Sequence, residues 1–344
     1  AADGATGEAA PTDEAGVEAP APDALEPAAA AAPAEPSSST PAPTGKKPTP
    51  SSAFTGKRGI LRKHRFVYDN LITARVNPLG LADRFRFGYR YQLINRDTAL
   101  FRDSFVALKV YTFNSPAFGR IGPMFEIQPA AIINMSVAYE FIGYYGTFDH
   151  VHSFETATAE HFDDTLEDRT ERGENNPTIG SVLTLNLQLQ AKAGPVAVRN
   201  TTVGTRYDLN LPEGDTVFYE QFFDIMVPDE GWMMFNDLDL LVILERINLS
   251  LGARYTASVP FYEDKHFLAS EVALGEDVNL NGPTHRVGPA VIYKFFSRPG
   301  AKFDEPTLVL LSQWWVKHRY RAGQEVSQAF PLILIAFTFK GDFL

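Results

Sequence analysis

The chain has 344 residues, no cysteine, 26 Phe, 13 Tyr and a formal net charge of −11. Without thiols there is no disulfide framework, and the acidic balance is the wrong sign for a nucleic-acid surface. No stretch approaches the ~18 consecutive apolar residues of a transmembrane helix, yet a mean hydropathy of −0.15 still suits a membrane β-barrel, whose strands turn only half their residues to lipid.

The chain starts Ala1-Ala2 without an apolar leader. That is the pattern of a mature protein after signal-peptide removal, or of a trimmed chain. Residues 1–55 are mostly Ala, Pro, Ser, Glu and Gly, and residues 1–50 carry eight acids against two lysines. Such a segment buries too little apolar surface to offset its ordering entropy. It is expected to be a disordered, proline-stiffened tether, and a contact point for periplasmic or envelope-complex partners. The basic cluster Lys57, Arg58, Arg62, Lys63, His64 and Arg65 closes it. A second unit, 56–344, follows.

From Phe66 the pattern changes to period 2, in which successive side chains point to opposite faces. The first strand puts Phe66, Tyr68, Ile72, Ala74 and Val76 on one face. The second is the most regular: Phe85, Phe87, Tyr89, Tyr91 and Leu93 oppose Arg84, Arg86, Gly88, Arg90 and Gln92. Eleven alternating residues exceed the ~5–6 of an ordinary strand and match the ~9–11 of a tilted membrane-crossing one. A third, near 104–113, has no clear phase. The fourth and fifth turn Phe125 and Ile127, then Met135, Val137, Tyr139 and Phe141, away from Glu126 and Glu140. The sixth sets Leu183, Leu185, Leu187 and Leu189 against Asn186 and Gln188, and the seventh, near 196–209, is weak.

The eighth sets Leu238, Leu240, Val242 and Leu244 against Asp237 and Asp239, and the ninth alternates from Ile247 to Ser258. The tenth opposes Val291, Tyr293 and Phe295 to Lys294. The eleventh opposes Leu308, Leu310, Trp314 and Val316 to Gln313, Lys317 and Arg319. The twelfth opposes Ile333, Ile335, Phe337 and Phe339 to Lys340. Long polar connections (148–178, 210–231, 259–285, 320–328) fall on one side, and mostly short turns on the other, as in membrane barrels. The reading is an all-β, up-and-down antiparallel transmembrane β-barrel of about twelve strands, or fourteen if one is missed. Thr216–Val227 also reads as a strand. Because barrels of this class have even counts, it is assigned to an outer loop, as a hairpin above the membrane offering Phe218, Tyr219, Phe222 and Phe223 to a partner.

With the strands and the aromatic-rich end (Phe337, Phe339, Phe343, Leu344) in view, residues 66–344 resemble a bacterial outer-membrane β-barrel of porin-like architecture. The resemblance implies outer-membrane lipids and the barrel-insertion machinery as partners, with the N-terminus in the periplasm. Tyr144, Tyr145, Trp232, Trp314 and Trp315 are candidates for interfacial girdles.

Chemistry is sparse. His150, His152 and His161 with nearby acids match no strong metal motif, and no cofactor is expected. His152-Ser153 lies in a loop, and His318 is too far from Ser312 in sequence to pair, so no enzyme is expected. The lumen is more informative. Arg75, Arg84, Arg86, Arg90, Lys294, Lys317, Arg319 and Lys340 should form a basic wall, and Glu126, Glu140, Asp237 and Asp239 an acidic one. Opposed walls would create a transverse field, or pair across the lumen and plug it. The expected function is a passive pore for small, anionic solutes; the alternative is a non-conducting scaffold of a surface, secretion or motility complex.

Overall fold

The structure, a computed structural model, describes residues 63–94, 96, 98, 100–148, 151–273, 279–322 and 330–343. The expected tether, residues 1–55, lies outside them, as do Lys57, Arg58, Arg62, His150 and Leu344.

Twelve strands close into one antiparallel barrel. In chain order they are β1 (His64–Val76), β2 (Gly80–Gln92), β3 (Phe105–Asn114), β4 (Phe118–Ala130) and β5 (Ile133–Tyr144), then β7 (Thr178–Ala193) and β8 (Val196–Leu209). After these come β11 (Trp232–Leu244), β12 (Leu249–Phe261), β13 (Thr284–Lys294), β14 (Asp304–Lys317) and β15 (Leu332–Asp342). β15 pairs with β1 from Val67↔Asp342 to Val76↔Ile333 and shuts the sheet. Closure leaves no unpaired edge, which a strand in hydrocarbon requires. The strands run 10 to 16 residues, long enough to cross a bilayer at a tilt.

The outer face is apolar. Ile72, Leu108, Ile121, Phe141, Leu185, Leu240 and Ile335 are exposed there, while their strand neighbours at the opposite parity are buried. A water-facing surface this apolar would aggregate; around a barrel it is the face that meets lipid. Tyr145, Trp232 and Trp314 sit exposed toward the end with the long connections, but Tyr144 and Trp315 are buried. Both have inward parity and belong to the interior, not to a girdle. At the other end Phe343 packs on Tyr68, with ring centroids 5.2 Å apart.

Inward glycines let neighbouring strands approach. A Cβ on Gly88 would lie 2.1 Å from the Leu108 carbonyl oxygen, and one on Gly252 would lie 1.9 Å from that of Leu240. Glycine at such places lets a sheet coil into a closed barrel.

Three short strands make a separate sheet, ordered β10 (Ile225–Pro228), β9 (Val217–Glu220), β6 (Ser153–Phe154). A polar helix, α1 (Asp163–Glu171), lies in the same loop layer and buries no residue. The β9–β10 hairpin does not stand above the barrel, as the sequence suggested. Phe218, Tyr219, Phe222 and Phe223 are all buried. The physical reason lies in the run itself: it is apolar on both faces, so it is stable only when covered on both. One face joins the inward side chains Phe113, Phe118, Tyr144, Tyr207, Phe235 and Leu334 in a single core. On the other face, Val217, Tyr219 and Met226 pack with Phe154, Tyr262 and Phe267 of the loops.

Candidate functional site

The lumen has two halves with different chemistry. In the half toward the short turns, charges pair between strands. Asp69 on β1 accepts from Arg86 at 2.5 Å and lies 3.3 Å from Lys109, which contacts Glu126 at 2.6 Å. Arg199 and Arg254 converge on Asp239 at 2.5 and 2.7 Å, and Arg254 also reaches Asp237 at 2.9 Å. Nearer the loops, Arg120, paired in register with Phe113, holds Glu140 with two hydrogen bonds, at 2.8 and 3.0 Å, and Thr184 donates to the same carboxylate at 2.8 Å. At the rim Glu305 bridges Lys294 and Lys340, 3.6 and 2.7 Å away.

The predicted acids Glu126, Glu140, Asp237 and Asp239 therefore face inward, but each carries its own counter-ion. Lys109, Arg120, Arg199 and Arg254 supply that charge, so these acids are paired with cations of neighbouring strands. Those four cations occupy the inward parity of their strands. Lys109 and Arg199 fall on the two segments whose alternation is hardest to phase, β3 and β8. Arg286 was also overlooked. It is buried on β13 beside a register shift at His285/Arg286, and its guanidinium lies over the Trp315 and Phe235 rings at 5.0 and 5.9 Å. Its Nε and Nη1 bond to no described residue.

In the loop half, the wall grips the inner sheet. Arg75 donates to the carbonyls of Phe222 and Gln221, both at 2.9 Å. Asp224, in the left-handed region at φ 54°, is the hub. Its carboxylate accepts from Tyr219 at 2.7 Å and from Arg321, and its carbonyl oxygen accepts from His318 Nε2 at 2.9 Å. Burial pushes the Asp224 carboxyl up, but the Arg321 guanidinium more than offsets it and holds it well below the usual carboxylate range. His318 Nδ1 accepts the backbone N–H groups of Tyr320 and Arg321, both at 3.1 Å. That bonding fixes the neutral ring, and burial keeps the His318 pKa below its ordinary value. Burial also carries His161, packed against Tyr219 and Tyr320, down to about 3.

The predicted basic residues thus divide. Arg84, Arg86 and Arg90 have inward parity, and Arg90 lies 3.7 Å over the Phe105 ring. Lys294 and Lys340 sit at the turn-end rim, and Lys317 is exposed at the loop end. Arg319 lies past the end of β14, so it does not line the wall. It reaches the Thr158 and Ala159 carbonyls at 3.0 and 3.2 Å and Asn281 Oδ1 at 2.9 Å.

The loop histidines are structural as well. His152 and Ser153 are buried rather than on a solvated surface loop. His152 Nε2 meets Thr170 Oγ1 at 3.1 Å, and Ser153 donates to Asp215, so the two do not form a catalytic pair. Among the described residues no group of three His, Asp or Glu side chains is arranged to hold a metal.

No family model matches the chain, and no curated protein matches it in sequence. Among solved structures it is similar to CdiB from Acinetobacter baumannii, at 9% identity over 82% of this chain and 60% of that one, with a TM-score of 0.35. It is also similar to OccAB1 from Acinetobacter baumannii, at 10% identity over 78% and 60%, TM-score 0.37. The translocator domain of the autotransporter NalP from Neisseria meningitidis gives 8% identity over 84% and 91%, TM-score 0.32. The chain spans about 60% of the length of the first two.

Proposed function

We propose that this chain is a bacterial outer-membrane channel for small hydrophilic solutes, closed in this conformation by its own loops. In this reading the short turns and the N-terminus face the periplasm. The observation that carries it is the unlike make-up of the two lumen halves. The turn half is lined by charged, amide and hydroxyl side chains, a lining suited to water. The loop half is filled by an inner sheet that belongs to no wall strand and whose β9–β10 turn is held by hydrogen bonds from Arg75 and Arg321. Small anions are the favoured solutes, because Arg286, with two nitrogens bonded to no described residue, stands in the interior with Arg84 and Arg90. Arginine side chains lining a lumen favour anions.

The test is planar-bilayer conductance of the full chain beside a variant in which residues 217–228 are replaced by a glycine–serine linker. The wild type should stay mostly silent with rare steps, and the variant should conduct steadily with an anion-biased reversal potential. A variant that inserts, resists protease and still does not conduct would overturn the channel. It would favour the scaffold reading, in which the N-terminal segment and the loops hold envelope partners.

A further inference from the structure

Among the described residues the lipid-facing positions are mostly apolar, and their polar side chains bond in small groups: Tyr255 with His285 at 2.7 Å, Thr112 with the Phe85 carbonyl, and two clusters that hold asparagines. One is a single bond between β1 and β2, Asn70 donating to Asp83 at 2.6 Å. The other is at mid-height on β8 and β11. There Asn200 and Asn236 exchange hydrogen bonds at 3.1 Å in both directions, Asn236 donates to Thr202 at 2.7 Å, and Thr202 donates to Asn200 at 3.2 Å.

Parity places all three outward. They alternate with the buried Arg199, Thr201, Asp237 and Asp239, and share their face with the exposed Val196, Val198, Leu238 and Leu240. The register is unbroken from Trp232↔Arg206 to Val242↔Val196, so no bulge reverses it. Asn236 spends both N–H groups, but the second N–H of Asn200 has no partner among the described residues. Acyl chains can neither donate nor accept, so an amide left facing them is costly. Beside the cluster the surface is concave. A groove of about 520 Å³ runs over Leu185, Leu187, Thr202, Gly204, Trp232 and Met234.

We propose that this face binds a second copy of the same chain about a two-fold axis along the membrane normal. With that axis, equal heights meet, so Asn200 faces Asn200 across the interface. An amide is both donor and acceptor, so the patch complements itself, as an isologous interface demands. Side chains of the second copy at groove height fill the concavity. Polar side chains and glycines that admit close approach are the features that join membrane segments where hydrophobicity gives no driving force. A lipid tail would fill the groove but leave the amide unmet.

The sequence holds no cysteine, so Asn200→Cys introduces a sole thiol. Mild oxidation of membranes carrying the full-length variant should give a disulfide-linked band of twice the mass. Ile72→Cys, exposed on β1 six strands away, should give none. Native mass spectrometry of the wild type in detergent should show two copies, and the pair Asn200→Leu with Asn236→Leu should show one. Leucine suits a lipid-facing site, so the variant barrel should keep its strand content and protease resistance. A single-copy wild type without the Asn200→Cys cross-link overturns the proposal, as does equal cross-linking at both positions. A two-copy mass that survives the double substitution overturns the role given to the amides.

Discussion

The two halves of the lumen solve the same packing problem by different means. Toward the turns, charge meets charge on neighbouring strands, and the wall needs nothing from outside itself. Toward the loops, inward Phe113, Phe118, Tyr144 and Phe235 build an apolar core that the inner sheet completes, and Arg75 of the wall ends on the carbonyls of its turn. The turn half is therefore rigid and wet in chemistry. The loop half is a small soluble-type core inside a barrel, held by a few polar clasps that can be cut one at a time.

The largest test breaks the turn half. Asp239→Asn leaves Arg199 buried without its carboxylate, and removing one partner of a buried pair costs roughly 3–5 kcal/mol. Urea unfolding in detergent should show that loss, with the loop clasp cut only as a consequence. Asp224→Asn acts on the other half. It removes the carboxylate charge that Arg321 pairs with, while His318 keeps the backbone carbonyl of residue 224 and every wall pair stays intact. Trypsin cleavage after Arg319 and Arg321 should accelerate and open probability should rise, with the unfolding midpoint of the barrel little changed. An equal fall in barrel stability would erase the distinction between the halves.

Acid should separate them next. His161 and His318 have pKa values below their ordinary 6.5 in the closed state. The released loop binds their protons more tightly, so the closed state has its full stability above pH 6.5 and loses it as pH falls below. The slope is about 1.4 kcal/mol per pH unit for each ring, and for His161 the loss continues down to about 3. Asp224, held low by Arg321, adds a loss only at more acidic pH. Asp229, raised to about 6 by burial, opposes the trend, because its protonation favours the folded loop between pH 6 and 4. Conductance at pH 5 should therefore exceed that at pH 7.5, and His161→Phe should flatten the difference. The smallest effect is Glu305→Gln at the turn-end rim. Solvent-screened pairs are worth under about 1 kcal/mol, so stability should hold, while Lys294 and Lys340 should raise the anion preference of an opened channel.

Much of this was legible because a strand's period is fixed by backbone geometry. The twelve segments, the outward faces of Phe85 and Leu185, and the inward faces of Arg84, Glu140 and Asp239 all follow from alternation. The pairing of each acid did not, because a counter-ion such as Arg120 for Glu140 sits twenty residues away and is set by register. The place of Phe218–Phe223 was readable in part, since apolar residues on both faces signal double burial. Yet a hairpin over the barrel and one within it share the same sequence.

Taken alone, the sequence determined a closed membrane barrel, because period 2 over lengths sufficient to cross a bilayer admits few other structures. Tertiary structure decided that the loops fold inward, which acid each arginine meets, and that Asn200 and Asn236 share one patch of the lipid face. Those outcomes depend on shear and closure, which bring together residues that no local pattern relates.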